Sequence, residues 1–202
     1  MEFKNLENEF KSLEKHSAEE LINEIYKRIC KTEFSTSPYY DIPIYSFQRF
    51  GMKKGRILKN CKNRKNKYEY CFDKNNRILL IKEWNKLDSF NSQIFFYNEN
   101  NHLPFKSISY SYNNKLLNIT YYFYNQSKIE SSIFVGKYGY RKELYIYSQE
   151  NGLLSTIKTQ QFETDSTFIN ELTQIFIHDE NGTLIEIKKV YDNDEDVVYR
   201  IK

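Results

Sequence analysis

The residues best suited to metal binding or nucleophilic chemistry are three cysteines and three histidines: Cys30, Cys61, Cys71, His16, His102 and His178. Zinc sites require ligands at characteristic spacings, but Cys61, Cys71 and His102 match none of them, and the sequence contains no CxxC pair. The odd number of cysteines favours reduced thiols. Cys71 lies within an aromatic segment, where we expect it to be a small buried apolar group. The sequence predicts no metal site.

Motifs for phosphate binding and acyl transfer are also missing from the sequence. It contains no GxSxG nucleophile turn, no P-loop and no GxGxxG. Only 6 of its 202 residues are glycine, and loops that cradle phosphate need glycine where the backbone approaches the ligand closely. We therefore predict no catalytic residue and no cofactor. An enzyme whose site is assembled from distant residues is a separate alternative.

The densest charged segment is KKGRILKNCKNRKNK, residues 53–67, which holds eight lysines or arginines and no acid. The whole chain carries a net charge of +3, so the remainder carries −5. One interpretation is a phosphate-binding strip for nucleic acid that uses Lys62, Arg64, Lys65 and Lys67. The other is a solvated basic hairpin that discourages pairing at a sheet edge.

An acidic segment near the C-terminus has two interpretations as well. Its charged residues are Asp192, Asp194, Glu195 and Asp196. They could steer a basic protein partner, such as a nuclease toxin, towards this surface. They could equally form a polar turn between the final two strands.

Tyrosine is the most abundant aromatic residue, with 18 copies. Segments 121–124 and 145–147 place aromatic side chains on both faces of predicted strands. If the sheet is a single layer, one face is partly exposed, and exposed tyrosine is typical of protein-binding surfaces. The candidate partner-binding tyrosines are Tyr122, Tyr124, Tyr145 and Tyr147. A closed barrel or a two-layer sandwich would hide both faces.

Spacing indicates helices at the N-terminus, within a predicted segment over residues 1–38. Apolar residues from Phe3 to Leu13 recur every three or four positions, which places them on one helix face. Ser17 and Glu20 have the spacing of a capping box, in which the Ser17 hydroxyl accepts from the amide of residue 20. We expect two short amphipathic helices or one bent helix, followed by a β domain over residues 39–202.

From about residue 39 the apolar pattern has a period of two, beginning with IPIYSFQRF (42–50), which indicates strands. Four segments share a turn pattern ending at Asn76, Asn101, Gly152 and Gly182, residue types that tolerate a left-handed backbone. Three-residue hairpin loops with such an ending predict that Phe72 faces Ile78 and Tyr70 faces Leu80. They also predict that Ile177 faces Ile185 and that Ile175 faces Ile187. The predicted fold is mainly β (α+β by content): an antiparallel β-meander of hairpin repeats, about ten strands, with one or two N-terminal helices.

The segments YCFDKNNRILLI and FIHDENGTLIEI resemble the YD repeat of Rhs-type proteins, an aromatic-x-aromatic-Asp-x-x-Gly-x-Leu pattern. The resemblance covers roughly residues 68–200, and Asn76 and Asn101 replace the usual glycine. It implies hairpin geometry. Small proteins with such hairpins are also similar to immunity proteins that accompany bacterial polymorphic toxins.

The leading functional expectation is a non-enzymatic immunity protein that binds and neutralises a toxin domain, possible partners including a nuclease. The N-terminus is charged from its second residue and no apolar run approaches the length of a membrane span, so we expect a cytoplasmic protein with no membrane partner. The alternatives are a nucleic-acid-binding protein that uses residues 53–67 and a structural protein of hairpin repeats.

Overall fold

The computed structural model describes residues 3–99, 101–191 and 194–201. Two short helices open the chain, α1 (Phe3–Leu13) and α2 (Ala18–Tyr26), as the apolar spacing predicts. Ser17 is the N-cap of α2, which confirms the capping position predicted from the sequence. Its hydroxyl accepts from the amide of Glu19 at 3.2 Å, one residue earlier than predicted. Capping satisfies an amide that has no partner within the first turn of the helix.

Thirteen strands follow within the described residues and form one sheet. They are β1 (Lys31–Ser35), β2 (Ile57–Leu58), β3 (Lys67–Phe72), β4 (Ile78–Trp84), β5 (Phe90–Phe96), β6 (Lys106–Tyr110), β7 (Leu116–Asn125), β8 (Lys128–Gly136), β9 (Gly139–Tyr147), β10 (Leu154–Glu163), β11 (Phe168–His178), β12 (Leu184–Tyr191) and β13 (Asp194–Arg200). The order is β13 through β3 in sequence, then β1, then β2. The predicted mainly β meander is confirmed, with thirteen strands rather than about ten.

One turn geometry recurs in four of the hairpins. In the first, the amide of Asn76 donates to the carbonyl of Asp73 at 3.1 Å, and the amide of Asp73 donates to the carbonyl of Arg77 at 3.0 Å. Asn76 is left-handed with φ +58°. Three residues beyond Asn76, Leu79 has no cross-strand partner on β3 and forms a bulge. The other three copies begin at Ser111, Glu163 and Asp179, have Asn114, Ser166 and Gly182 in the left-handed position, and bulge at Leu117, Ile169 and Ile185.

The predicted left-handed turn ends are confirmed at Asn76, Gly152 and Gly182. Asn101 also lies in a turn, where its amide donates to the carbonyl of Asn98 at 3.1 Å. The bulges shift the register beyond each turn, because a bulge places two residues opposite one.

The first residue pair after the first turn, Phe72 with Ile78, is as predicted. The prediction for the second pair is wrong, since Tyr70 faces Ile81 instead of Leu80. The hairpin of β11 and β12 shows the same one-residue error. There Ile177 faces Glu186 instead of Ile185, and Ile175 faces Lys188 instead of Ile187.

The strand predicted over residues 42–50 is wrong. This segment forms turns followed by a 3-10 helix at Gln48–Phe50. Pro43 has no amide hydrogen for a strand ladder, and Tyr45 is left-handed at φ +57°, which interrupts an extended chain. Ile44 and Tyr45 instead pack as separate anchors against a hydrophobic core.

By its internal contacts the chain divides into two compact units. The first unit holds residues 1–39, 55–121 and 134–137, and the second holds 40–54, 122–133 and 138–202. The predicted N-terminal segment 1–38 lies in the first unit and ends with strand β1; its status as a separate domain stays a prediction. Of the helices in the described ranges, neither is long and apolar enough to cross a membrane.

In the first unit the helices cover one sheet face. Leu80, Ile94, Ile108 and Ile119 face one another across four neighbouring strands, and all are buried. Glu9 of α1 forms a 3.1 Å salt bridge with Lys106 of β6, which is two residues from Ile108 and therefore on the same sheet face. The core of the second unit consists of the buried residues Tyr122, Ile129, Tyr145, Leu154, Ile157, Phe176, Leu184 and Ile187.

Candidate protein-binding surface

The structure brings the four candidate tyrosines together in the second unit, around one hydrophobic core. Tyr122 and Tyr145 belong to that core, and their exposed fractions are 5% and 4%. Tyr124 and Tyr147 are half-buried and pack against it. Tyr122 and Tyr145 therefore offer almost no surface to a partner.

Hydrogen bonds hold the tyrosine side chains of β9 in place. The Tyr147 hydroxyl donates to the carbonyl of Ile129 at 3.0 Å. Lys128 lies over the Tyr147 ring, 4.8 Å from its centroid, and donates to the carbonyl of Gly152 at 2.8 Å. Tyr145 and Tyr147 also line a cavity of about 310 Å³ with residues 125, 126 and 128–130 of the β7–β8 hairpin. These tyrosines line a small cavity and do not form a broad contact face.

The exposed residues of β9 are those that alternate with the tyrosines. Leu144 is 48% exposed and Ile146 is 36% exposed. Side chains alternate between the faces of a strand, so burial of Tyr145 and Tyr147 places Leu144 and Ile146 on the other face. The alternation in ELYIY could have predicted this arrangement, because bulky aromatic residues gain most from burial and the two tyrosines share one face.

Cross-strand pairing extends this second face from β9 to β13. One rung runs from Ile146 through Thr156, Ile175 and Lys188 to Val197. The next rung runs from Leu144 through Lys158, Thr173 and Val190 to Glu195. We call the aliphatic members of the two rungs the open face: Leu144, Ile146, Ile175, Val190 and Val197.

The open face is partly exposed and interspersed with charge. Val197, which lies on β13 at one end of the open face, is 45% exposed. Lys158 lies among the aliphatic residues and is exposed, while Lys188 forms a 2.7 Å salt bridge with Glu195. A reversible protein interface is about as apolar as the rest of a protein surface, so this mixed composition is compatible with a protein contact.

The opposite face of these strands is covered by the 40–54 segment, which a buried polar network attaches to the sheet. Arg49 donates from Nη2 to Glu143 Oε1 at 2.7 Å and from Nη1 to Glu143 Oε2 at 3.1 Å. Its Nε donates to Gln174 Oε1 at 2.7 Å. The hydroxyls of Tyr145 and Ser132 donate to Glu143 Oε2 at 2.8 and 3.2 Å. All five side chains are buried.

The electrostatics of this network favour the ionised carboxylate. Burial acts to raise the pKa of Glu143, but the charge and hydrogen bonds of Arg49 outweigh it, with further contributions from Arg141 and Tyr145, and lower that pKa to about 2. Burial and the Glu143 charge raise the pKa of Tyr145. Glu143 is thus a saturated acceptor, and its role is to hold the covering segment. Sequence reasoning missed this network because Arg49 is 94 residues from Glu143 and 125 from Gln174.

The candidate acidic residues lie mostly in a strand. Asp194, Glu195 and Asp196 are exposed members of β13, which ends the strand order, while Asp192 lies outside the described residues. Tyr191 pairs with Asp194 directly, so three of the four acids line an edge strand and not a turn.

The candidate basic residues lie near the other end of the strand order. Lys62, Arg64 and Lys65 are exposed between β2 and β3, and the half-buried Lys67 opens β3 opposite Trp84. The Arg64 guanidinium lies 5.1 Å from the centroid of the Trp84 ring. These four basic residues follow β2 in the sequence, and β2 is the two-residue strand at the end of the strand order.

A second buried polar cluster lies in the first unit. Glu69 accepts from Lys82 Nζ and from Trp84 Nε1, both at 2.8 Å. Burial raises the pKa of the neighbouring Cys71 thiol to about 12, as expected for a buried apolar group. No group of three His, Cys, Asp or Glu residues in the described part of the chain is placed to hold a metal ion.

No protein-family model matches the sequence, and a search of curated proteins finds no match.

Proposed function

We propose that this chain is a non-enzymatic protein-binding module of the bacterial cytoplasm, an immunity protein that neutralises a toxin domain by covering it. The observation that carries the proposal is the open face, where Leu144 and Ile146 on β9 and Val197 on β13 expose aliphatic surface at the two ends of rungs that cross β10, β11 and β12. Exposed apolar groups that share one face are a usual mark of a protein contact site.

Charge supports a basic partner. The exposed Asp194 and Asp196 lie on β13, the edge strand that also carries Val197; because side chains alternate along a strand, these two carboxylates belong to the opposite face, and Glu195 is the acid of β13 in the open-face rungs. Carboxylates at the border of an apolar contact accelerate association with a positively charged surface and disfavour negatively charged ones. A nuclease domain, whose surface is basic because it binds phosphate, has the required chemistry.

The mechanism is occlusion. The partner packs against the open face, with the acidic residues of β13 at its border, and its own substrate is excluded from the covered surface. This requires a rigid sheet, which the Arg49–Glu143 network supports by fixing the 40–54 segment on the opposite face. No group on the chain has to react.

Co-expression tests the proposal. Each gene adjacent to the one for this chain is expressed alone and together with it, and growth is measured. We expect one neighbour to arrest growth alone, to be tolerated with this chain and to copurify with it. Absence of such a neighbour in the native genome would contradict the proposal.

Substitutions then test the surface. Leu144→Asp and Val197→Asp place a charge in the contact, and we expect each to weaken the complex by about 10- to 100-fold, the effect of losing 1.4–2.8 kcal/mol. Leu117→Asp is the matched control, because Leu117 lies in the first unit and is 47% exposed, against 48% for Leu144. Equal affinity of all three variants would reject the open face.

The second candidate function is nucleic-acid binding, favoured by the exposure of Lys62, Arg64 and Lys65 in a segment without acids. Filter binding at several salt concentrations tests it, since phosphate contacts give affinity that falls steeply with salt. We expect replacement of these three residues by alanine to abolish the salt-dependent binding. A control that replaces the exposed Lys74, Lys86 and Lys115 should retain it. Weak binding that both triple variants share would exclude a specific strip.

A further inference from the structure

A groove of about 320 Å³ lies in the first unit, apart from the surfaces described above. One side is α2, and the other sides are the β4–β5 turn and the β6–β7 turn. Its volume is at the lower end of ligand sites, which suits one side chain or a small ligand.

Aromatic rings form much of the groove wall. Tyr26 of α2 and Tyr112 of the β6–β7 turn are exposed, and the half-buried Phe90, the first residue of β5, also lines the groove. Phe90 packs on Trp84 with the ring centroids 4.8 Å apart. Flat aromatic faces attract cations through the negative charge of their π systems.

The same rings already contact one cation. Lys82 Nζ lies 4.8 Å from the Tyr26 centroid and 5.3 Å from the Phe90 centroid. Its charge is balanced by Glu69, whose Oε1 accepts from that ammonium at 2.8 Å. Lys82 therefore demonstrates the preference of these rings without adding net positive charge to the groove.

The charged residues that line the groove are both acids. Glu19 of α2 accepts from Asn114 Nδ2 at 3.2 Å, which leaves further lone pairs on its carboxylate. The described residues provide no hydrogen bond or salt bridge for the side chain of Asp88 in the β4–β5 turn. No lysine or arginine of the described chain lines the groove. A phosphate or carboxylate ligand would be repelled here.

We propose that this groove binds an arginine side chain presented by a protein partner. A guanidinium stacks on aromatic faces and donates several hydrogen bonds in its own plane, so it satisfies the tyrosine walls and the two carboxylates together. The site is in the first unit and does not depend on the open face, which is in the second.

Titration with a short capped peptide containing one arginine tests the site, with a citrulline peptide as the matched probe. Citrulline keeps the shape of arginine but lacks its charge. Trp84, the one tryptophan of the chain, contacts Phe90 in the groove wall and supplies a fluorescence signal. We expect saturable binding of the arginine peptide at least 10-fold tighter than that of the citrulline peptide.

Two exposed positions supply the variants. Asp88→Asn removes the unpaired carboxylate and Tyr112→Ser removes one wall; we expect each to weaken arginine binding by at least 5-fold. Glu150→Gln, which removes an exposed carboxylate in the second unit, should leave it unchanged. Circular dichroism confirms that each variant is folded.

Three outcomes would overturn the proposal. They are equal binding of the two peptides, unchanged binding in both groove variants, and tighter binding of tetramethylammonium than of the arginine peptide. The last would indicate a site for small organic cations.

Discussion

Loss of Arg49 should destabilise the second unit more than its place in an irregular segment suggests. Arg49 makes two hydrogen bonds to Glu143 and one to Gln174, at 2.7–3.1 Å, in a site from which water is largely excluded. In Arg49→Met the aliphatic part of the side chain is kept, but the Glu143 carboxylate remains buried without its main partner. Breaking a buried pair in this way costs about 3–5 kcal/mol. Because the free energy of unfolding of a domain is only about 5–15 kcal/mol, this loss is a large share of the total stability.

The pH profile gives an independent measure of the same pair. The pKa of Glu143 is lowered from 4.5 to about 2. A carboxyl group with a lowered pKa in the folded state contributes stability above its unfolded pKa, and this contribution is lost as pH falls from about 4.5 to about 2. The difference corresponds to about 3 kcal/mol at neutral pH. In Arg49→Met this acid-sensitive component should be much smaller, since Arg49 is the main cause of the lowered pKa.

Urea unfolding followed by circular dichroism between pH 2 and pH 7 measures both effects. Arg56→Met is the matched control, because Arg56 is exposed, and it should change stability by less than about 0.5 kcal/mol. The double variant Arg49→Met, Glu143→Leu should recover part of the loss, since it removes the buried carboxylate; Arg141, which lies 3.3 Å from Glu143, is partly exposed and remains accessible to water. A loss below about 1 kcal/mol for Arg49→Met, or a double variant less stable than the single one, would refute this reasoning.

The remaining predictions concern backbone geometry, and urea unfolding measures each of them. Ser166 has a left-handed backbone with φ +72°, so Ser166→Gly should raise the free energy of unfolding by up to about 1 kcal/mol. A decrease would mean that loss of the Ser166 hydroxyl costs more than relief of the backbone strain contributes. Gly182→Ala should lower it by about 1 kcal/mol, because φ is +78° there; an unchanged value would show that the turn relaxes. Gly139→Ala should lower it by about 3 kcal/mol or more, since a Cβ would lie 2.1 Å from the backbone oxygen of Phe162. A tolerated Gly139→Ala would show that β9 and β10 can separate at this point.

Local chemistry was enough to predict the helices and the turns. Ser17 specifies the start of α2 through its own hydroxyl, and Gly182 specifies a left-handed turn through its missing side chain. These are properties of a few neighbouring residues, so one sequence reveals them.

Pairing and burial depended on long-range packing. The bulge at Leu79 moves Tyr70 from Leu80 to Ile81, and no residue type at Leu79 identifies it as the extra residue. The same limit applies to the proposed binding surface, the open face. Tyr145 faces the core because the 40–54 segment covers its side of the sheet, and that segment carries Arg49, which is distant in sequence. Exposure of Leu144 follows only after that cover is known.

The two ends of the strand order have a consequence for the solubility of the chain. A sheet made of repeated hairpins offers unpaired backbone groups at each terminal strand, where a strand of another molecule could add. At β13 the exposed Asp194 and Asp196 would bring carboxylates against any incoming strand. At β2 only two residues are available for pairing, next to a lysine-rich segment. Both features make further strand addition costly, so we expect the sheet to end at these strands and the molecule to resist fibre formation.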